Sequence, residues 1–284
     1  MSQLIEALRK LGAHPRLLPL VALLLRARTV HSSIAFALRE LSRRSSVRTY
    51  RLRENGLQVR LRHHSGDVVT LGEVFHDDHY QPTPQVEQAL GSVRQVLDLG
   101  ANIGLFGAFA AGRWPLAEIH GFEPDPANAA LHEQTVVLNG LQDRWRLTLA
   151  AAGASAGRVE FASGGVALSH LVAPDDEPET APRPTGEDEG AHLLIEVELR
   201  DVLPMIAEAD LLKMDIEGGE WAILMDPRFR ASPPRAVVLE YHPRFCPSQD
   251  PAMAVDAALE AAGLTVQPIW RRADGHGMLW AWRR

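Results

Sequence analysis

Four short stretches of this 284-residue sequence carry side chains whose type and spacing could do chemistry. The first is Asp98-x-Gly100-x-Asn102-x-Gly104, inside "VLDLGANIGLFGAFA" (96–110), where an apolar run ends and a helix-like apolar segment resumes. Glycines at such a turn let the backbone approach a ligand. The spacing is not GxGxxG, and a carboxylate here would repel the pyrophosphate that a dinucleotide fold sets on a helix N-terminus. Asp98 suits a ligand with a cationic amino group, such as the methionine part of S-adenosylmethionine. The second feature is Glu123, which ends the next apolar run, "EIHGFEP", 25 residues after Asp98. A carboxylate at that place can accept hydrogen bonds from both hydroxyls of a ribose.

The third stretch is "LLKMDIEGGE", in which Lys213, Asp215 and Glu217 share one parity along a strand and Leu212, Met214 and Ile216 the other. Charges on a strand buried on both faces are costly unless paired or functional. The chain has only two lysines, Lys10 and Lys213, among 29 basic residues. Lys213 therefore reads either as an ion-pair partner at the sheet edge or as an amine whose pKa falls on burial, a general base. Glu217 and Glu220 equally suit a helix start. The fourth stretch is Glu240-Tyr241-His242, with Glu240 and His242 on one face. His242 is a candidate base for a substrate hydroxyl, or a group that orients it. With Asp215 and Glu217 it offers oxygen and imidazole ligands that suit Mg²⁺ or Mn²⁺, at no diagnostic spacing. "HDDH" (76–79) reads as a solvated loop, and the tryptophans at 270, 280 and 282 as core.

These residues need a scaffold that collects strand ends. From Val93 the pattern repeats strand, turn, helix: "RQVLDLG", "EIHGFEP", "RWRLTLAA", "ADLLKMDIEG" and "RAVVLEYH" read as five core strands, and "LLIEVEL" as a short one. Asp125-Pro126 and Asp250-Pro251 start helices. "LTVQPIW" and "MLWAWRR" form a terminal antiparallel pair. The expected fold is α/β, a doubly wound, mostly parallel sheet with ligands beyond the carboxyl ends of its strands. Residues 1–85 read as a cap: helices over 3–11 and from Pro19 to about Ser42, then a hairpin in "RTYRLRENGLQVRLR" with a tight Asn55-Gly56 turn. Residues 86–284 form the ligand-binding domain.

The sequence is 46% hydrophobic and 23% charged, a globular composition. A single cysteine, Cys246, excludes a disulfide framework and suggests a reducing, cytoplasmic setting. The apolar run 17–25 is too short to span a bilayer and reads as a core or interface helix rather than a leader. Residues 1–62 hold 13 Lys or Arg against three Glu, net +10, whereas 174–190 hold seven acids and one Arg, net −6. The basic start reads as a solvated surface, with an anionic membrane or an acidic carrier protein as other partners. No aromatic-rich basic platform points to nucleic acid.

The chain resembles the FkbM-type S-adenosylmethionine-dependent methyltransferases over about residues 71–243. The matching blocks are "LGEVFHDDHYQP", "VLDLGANIGLF", "GFEPDPANAALHEQTVVLNGL", "LAAAG", "LLKMDIEGGEWAIL" and "VVLEYHP". The resemblance implies a class I methyltransferase fold and methylation of a hydroxyl on a sugar or small natural product. Asp98, Gly100, Asn102, Gly104 and Glu123 then hold the cofactor, with Asp143 and Ala151 near its adenine. Lys213, Asp215, Glu217, Glu240 and His242 form the catalytic side. Glu73 and Tyr80 close it as a lid, and His170, after "GGVAL", faces the pocket. An NAD-linked oxidoreductase and a non-catalytic cofactor-binding partner are the other readings, and a homo-oligomer remains open.

Overall fold

The computed structural model describes residues 18–42, 45–163 and 193–283. The expected helix over 3–11, His170 and the acidic stretch 174–190 lie outside the described residues. Helices α1 (Leu18–Ala27) and α2 (Ser33–Leu41) precede the hairpin β1 (Val47–Arg51) and β2 (Gln58–Arg62). The single helix expected from Pro19 to Ser42 is broken because the backbone between α1 and α2 pairs with the hairpin. Val30 bridges Leu52, His31 N–H donates to the Arg51 carbonyl and Arg53 N–H to the Thr29 carbonyl. The hairpin turn is also wider than expected. Leu52 N–H bonds the Leu57 carbonyl at 2.8 Å, so four residues form the loop and Gly56 (φ +75°) supplies its left-handed position. Asn55 instead accepts from Leu57 N–H and donates to the Ala108 carbonyl, pinning the hairpin to the chain at residue 108.

Helices α3 (Gly66–Phe75) and α4 (Pro84–Leu90) follow, then β3 (Gln95–Leu99), α5 (Leu105–Arg113), β4 (Glu118–Phe122), α6 (Pro126–Leu138), β5 (Trp145–Thr148), β6 (Ala151–Gly153), β7 (Gly157–Ser163) and β8 (Leu193–Asp201). After these come α7 (Leu203–Glu208), β9 (Leu211–Met214), α8 (Glu220–Leu224), α9 (Pro227–Ala231), β10 (Ala236–Tyr241), α10 (Pro251–Ala261), β11 (Leu264–Arg271) and β12 (Gly277–Arg283). The helix starts follow their caps: the Asp125 carboxylate accepts from Ala127 and Asn128 N–H, and that of Asp250 from Met253 N–H.

Seven strands make one mixed sheet in the order β11-β12-β10-β9-β3-β4-β5. Strands β5 to β10 of that order pair in parallel, and β12 runs antiparallel to both β10 and β11. "RWRLTLAA" divides into β5 and β6, and β6, β8 and β7 form a separate sheet. Strand β8 is therefore nine residues long, not short. The chain moves outward from β3 through β4 to β5, then restarts at β9 and moves the other way to β10. The point of reversal lies between β3 and β9, where a doubly wound sheet opens a crevice at its carboxyl edge.

Side chains alternate across the sheet. Val96, Ile119, Leu211, Val238 and Trp280 pack with α5 and with Leu23, Phe36, Leu61 and Val74 of the first 85 residues in one core. Leu97, Leu99, Leu212, Met214 and Leu239 pack with α7, α8 and α10 in the other. Asp98, Lys213 and Glu240 fall between members of the second set. They share the side covered by α3 and the hairpin.

Candidate functional site

Asp98 and Lys213 face each other across the reversal point as register partners of β3 and β9. Asp98 is fully buried, and neither of its oxygens has a hydrogen-bond partner among the described residues. Lys213 Nζ stands 3.5 Å from Asp98 Oδ1, an ion pair at the outer limit of bonding. The ammonium donates instead to the Gly100 carbonyl at 2.7 Å and the Leu99 carbonyl at 3.3 Å, and lies 3.8 Å from Asp215. Burial disfavours its charge, but Asp98, Asp215 and Glu123 outweigh that and raise its pKa. Lys213 is thus held protonated with its donors engaged. That favours the ion-pair reading of Lys213 over the general base: the ammonium ties the two central strand ends together.

The glycines of the loop serve the protein itself. A Cβ on Gly100 (φ +77°) would overlap the Asp215 carbonyl oxygen, and one on Gly104 (φ +87°) would press on His132 and Trp145 at 3.1 and 3.2 Å. Whatever clearance they give a ligand, both give clearance to neighbouring chain. Asn102 holds a left-handed φ of +48°, which asparagine tolerates. Its N–H donates to Glu123 Oε2 at 2.8 Å. Glu123 Oε1 accepts from Asp125 N–H at 2.9 Å and Asn128 Nδ2 at 3.3 Å. Glu123 is buried, and that burial pushes its pKa up to about 7 against these donors. It braces the glycine loop against the start of α6.

Of the two residues expected near an adenine, Ala151 begins β6, just past the carboxyl end of β5. Asp143 does not join the site. It lies exposed in the turn before β5, and Ile119 N–H there bonds the Arg144 carbonyl, at the amino edge of the sheet. Its closeness in sequence to a core strand placed it at the wrong end.

The strand alternation expected through Glu217 stops at Met214, where β9 ends. Glu217 takes a left-handed φ of +54°. The turn nevertheless carries it to the imidazole of His242: Nε2 lies 3.3 Å from Glu217 and 3.9 Å from Asp215. Nδ1 meets Glu220 at 3.0 Å. Glu220 is fully buried and accepts also from Ile216 and Gly218 N–H, so it fixes both the turn and the ring. Burial works against charge on His242, yet the bond to Glu220 and the nearby Asp215 and Glu217 carry its pKa up to about 10. That favours the imidazolium, a donor, over the proton acceptor expected of His242. The groups poised near neutrality are carboxyls: burial, reinforced by Asp215, lifts Glu217 to about 7 and Glu240 to about 8.

Glu73 and Tyr80 reach the same place from α3 and the loop after it. Burial and then Asp215 raise the Glu73 pKa, and burial with Asp215, Glu240 and Glu73 raises that of Tyr80. The Tyr80 ring packs on Phe106 of α5, 5.3 Å between centroids. Asp77 and Asp78 of "HDDH" are exposed. The His276 ring, from the β11–β12 turn, stands edge-on to His242 at 5.4 Å. No local pattern signals His276, or the service of Glu220 to His242.

Asp215, Glu220 and His242 offer ligand atoms within 4.8 Å of one another. Glu220, however, is committed to two backbone amides and to Nδ1. The set fits a metal poorly, and no step below is routed through one.

The sequence profile of the methyltransferase FkbM domain matches residues 98–263, from the buried carboxylate of β3 to the end of α10. The chain belongs to the FkbM methyltransferase family. No curated protein matches it in sequence. Among solved structures, this FkbM methyltransferase is similar to Pyrococcus horikoshii TYW2 in complex with MeSAdo, with 14% identity, coverage of 95% of this chain and 86% of that one, and a TM-score of 0.39. It is similar to M. jannaschii TYW2 in complex with AdoMet, with 13% identity, 84% of each chain and a TM-score of 0.39. It is also similar to the precorrin-6y C5,15-methyltransferase of Geobacter metallireducens, with 13% identity, 70% of this chain and 88% of that one, and a TM-score of 0.36. Among the described residues no helix of the FkbM methyltransferase is long and apolar enough to cross a membrane.

Proposed function

We propose that this methyltransferase uses S-adenosylmethionine to methylate a hydroxyl of a sugar or small natural product, on a class I scaffold whose first 85 residues form a cap. The observation that carries the reading is Asp98: a buried carboxylate at the sheet's reversal point, kept company by one ammonium and accepting no hydrogen bond from the described residues. Such a group is complementary to the α-ammonium of a methionine moiety and opposed to a diphosphate. Glu123 has accepting capacity left for ribose hydroxyls, and Ala151 lies beyond it toward the adenine.

The cofactor, when bound, supplies a sulfonium methyl. An acceptor oxygen would attack that methyl carbon in line, the C–O bond forming as the C–S bond breaks and the thioether leaves, and a carboxylate of this chain would take the hydroxyl proton. Glu240 or Glu217 takes that proton. The His242 imidazolium, held by Glu220, orients the acceptor oxygen or the carboxylates by donation. Tyr80 and Glu73 close the cleft from the cap side. The expected divalent cation stays a secondary reading, since Glu220 is committed to two backbone amides and to Nδ1, and His242 Nε2 faces Glu217 at 3.3 Å.

Calorimetry with Asp98→Asn tests the reading. A charge-assisted bond of this kind is worth roughly 10- to 100-fold in affinity. S-Adenosylmethionine affinity should fall by that factor while NADH leaves the protein's fluorescence unchanged. Undiminished affinity in the folded variant, or saturable NADH binding by the wild type, overturns it.

A further inference from the structure

One surface lies outside this site. Helix α2 buries Phe36 against the Tyr50 and His63 rings of the hairpin. Its opposite side is apolar and open: Ile34, Leu38 and Leu41 are 79, 62 and 60% exposed. Positions i, i+4 and i+7 lie in one line on a helix, so these three form a stripe. The neighbouring α1 adds Leu20 and Leu24, also exposed.

Arginines border the stripe. Arg39 flanks it, about 100° round the helix from Leu38, Arg53 reaches Ser33 Oγ beside Ile34, and Arg39 and Arg48 both act on the hairpin's Tyr50. The one acid of α2, Glu40, turns inward to His63 at 2.7 Å. Charge across the chain is correspondingly divided. Residues 1–62 carry +10 and the whole chain −7, which leaves −17 for the rest. We propose that the α2 face docks on an anionic lipid surface. Aliphatic side chains flanked by cations suit the boundary between headgroups and acyl chains. A protein partner is less well served, because among the described residues the exposed stripe holds no tryptophan or tyrosine. The acidic remainder of the protein would orient the molecule with α2 toward the membrane.

Co-sedimentation of the full chain with phosphatidylcholine vesicles, with and without about one-third phosphatidylglycerol, tests this. Binding should need the anionic lipid and be lost as salt rises from about 0.05 to about 0.5 M. Each arginine at such a surface is worth roughly a factor of five in partition, so Arg39→Gln with Arg48→Gln should lower it about 25-fold. Ile34→Ser with Leu38→Ser should lower it at least roughly tenfold. Both changes lie outside the cleft, so cofactor affinity and thermal unfolding should stay at wild-type values. Absence of binding to anionic vesicles at low salt overturns the proposal. So does equal binding by the serine variant, or a dimer in light scattering that this variant dissociates, since the stripe then belongs to a second copy of the chain.

Discussion

Gly100→Ala offers the sharpest test of how the two central strand ends are joined. Three costs follow from the geometry. The residue sits at φ +77°, where an L side chain is disfavoured by roughly 1–2 kcal/mol. Its new methyl would overlap the Asp215 carbonyl, a backbone atom that cannot swing aside, and overpacking of that kind costs roughly 1–3 kcal/mol. Moving either strand end also strains the 2.7 Å bond from the Lys213 ammonium to the Gly100 carbonyl, a charged bond worth roughly 1.5–3 kcal/mol. The sum is about 3–6 kcal/mol if part of the last term is lost. Two controls separate the costs. Gly140 has φ +63° and nothing within 4 Å of its missing methyl, so Gly140→Ala isolates the backbone term at about 1–2 kcal/mol. Gly104→Ala meets only side chains and should fall between the two. Urea unfolding with a constant m-value reads all three. If Gly100→Ala costs no more than Gly140→Ala, the claimed contact between the loop and the end of β9 is wrong.

Three further outcomes are expected. Glu123→Ala should weaken S-adenosylmethionine binding in calorimetry while the fold persists at moderate cost, because the variant loses the acceptor of the Asn102 and Asp125 amides; unchanged affinity removes the ribose role. Methyl transfer should rise with pH as carboxyls near 7 and 8 lose their protons, and Glu240→Gln should remove the upper of these steps from the profile; a wild-type profile in that variant shifts the role to Glu217. His132 is buried and apolar-packed, its pKa lowered to about 4 by burial, so the folded state refuses a proton that the unfolded chain takes below about 6.5. Its contribution is full above pH 6.5 and lost on acidification toward 4, by about 3 kcal/mol. Glu123, raised to about 7, slopes the opposite way, so the readout is the wild-type minus His132→Leu difference, which should shrink between pH 7 and 5.

What the sequence reveals here is what lies along one strand or one turn. Asp98, Glu123, Lys213 and Glu240 end apolar runs, and apolar runs are strands because their period and length leave no other way to bury them. The helix caps at Asp125 and Asp250 are equally local. What escapes is contact across distance. Gly100 needs to be glycine because of a carbonyl at residue 215, and Glu220 acts on a ring 22 positions later. Protonation states escape for the same reason: the charge on His242 is set by three acids that only the turn after β9 assembles. The break between α1 and α2 reflects backbone bonds to the hairpin, which no helix propensity records. Asp143 fails differently, since a linear reading does not tell which edge of a sheet a turn occupies.

The Lys213 ammonium stands between the carboxylate at 98 and the carboxylate at 215, and grips the carbonyl of the glycine loop besides. On the proposed assignment one cation borders both the donor's berth and the acceptor's. Occupancy of either then alters the field felt by the other, so each should change the other's affinity by the same factor whichever enters first.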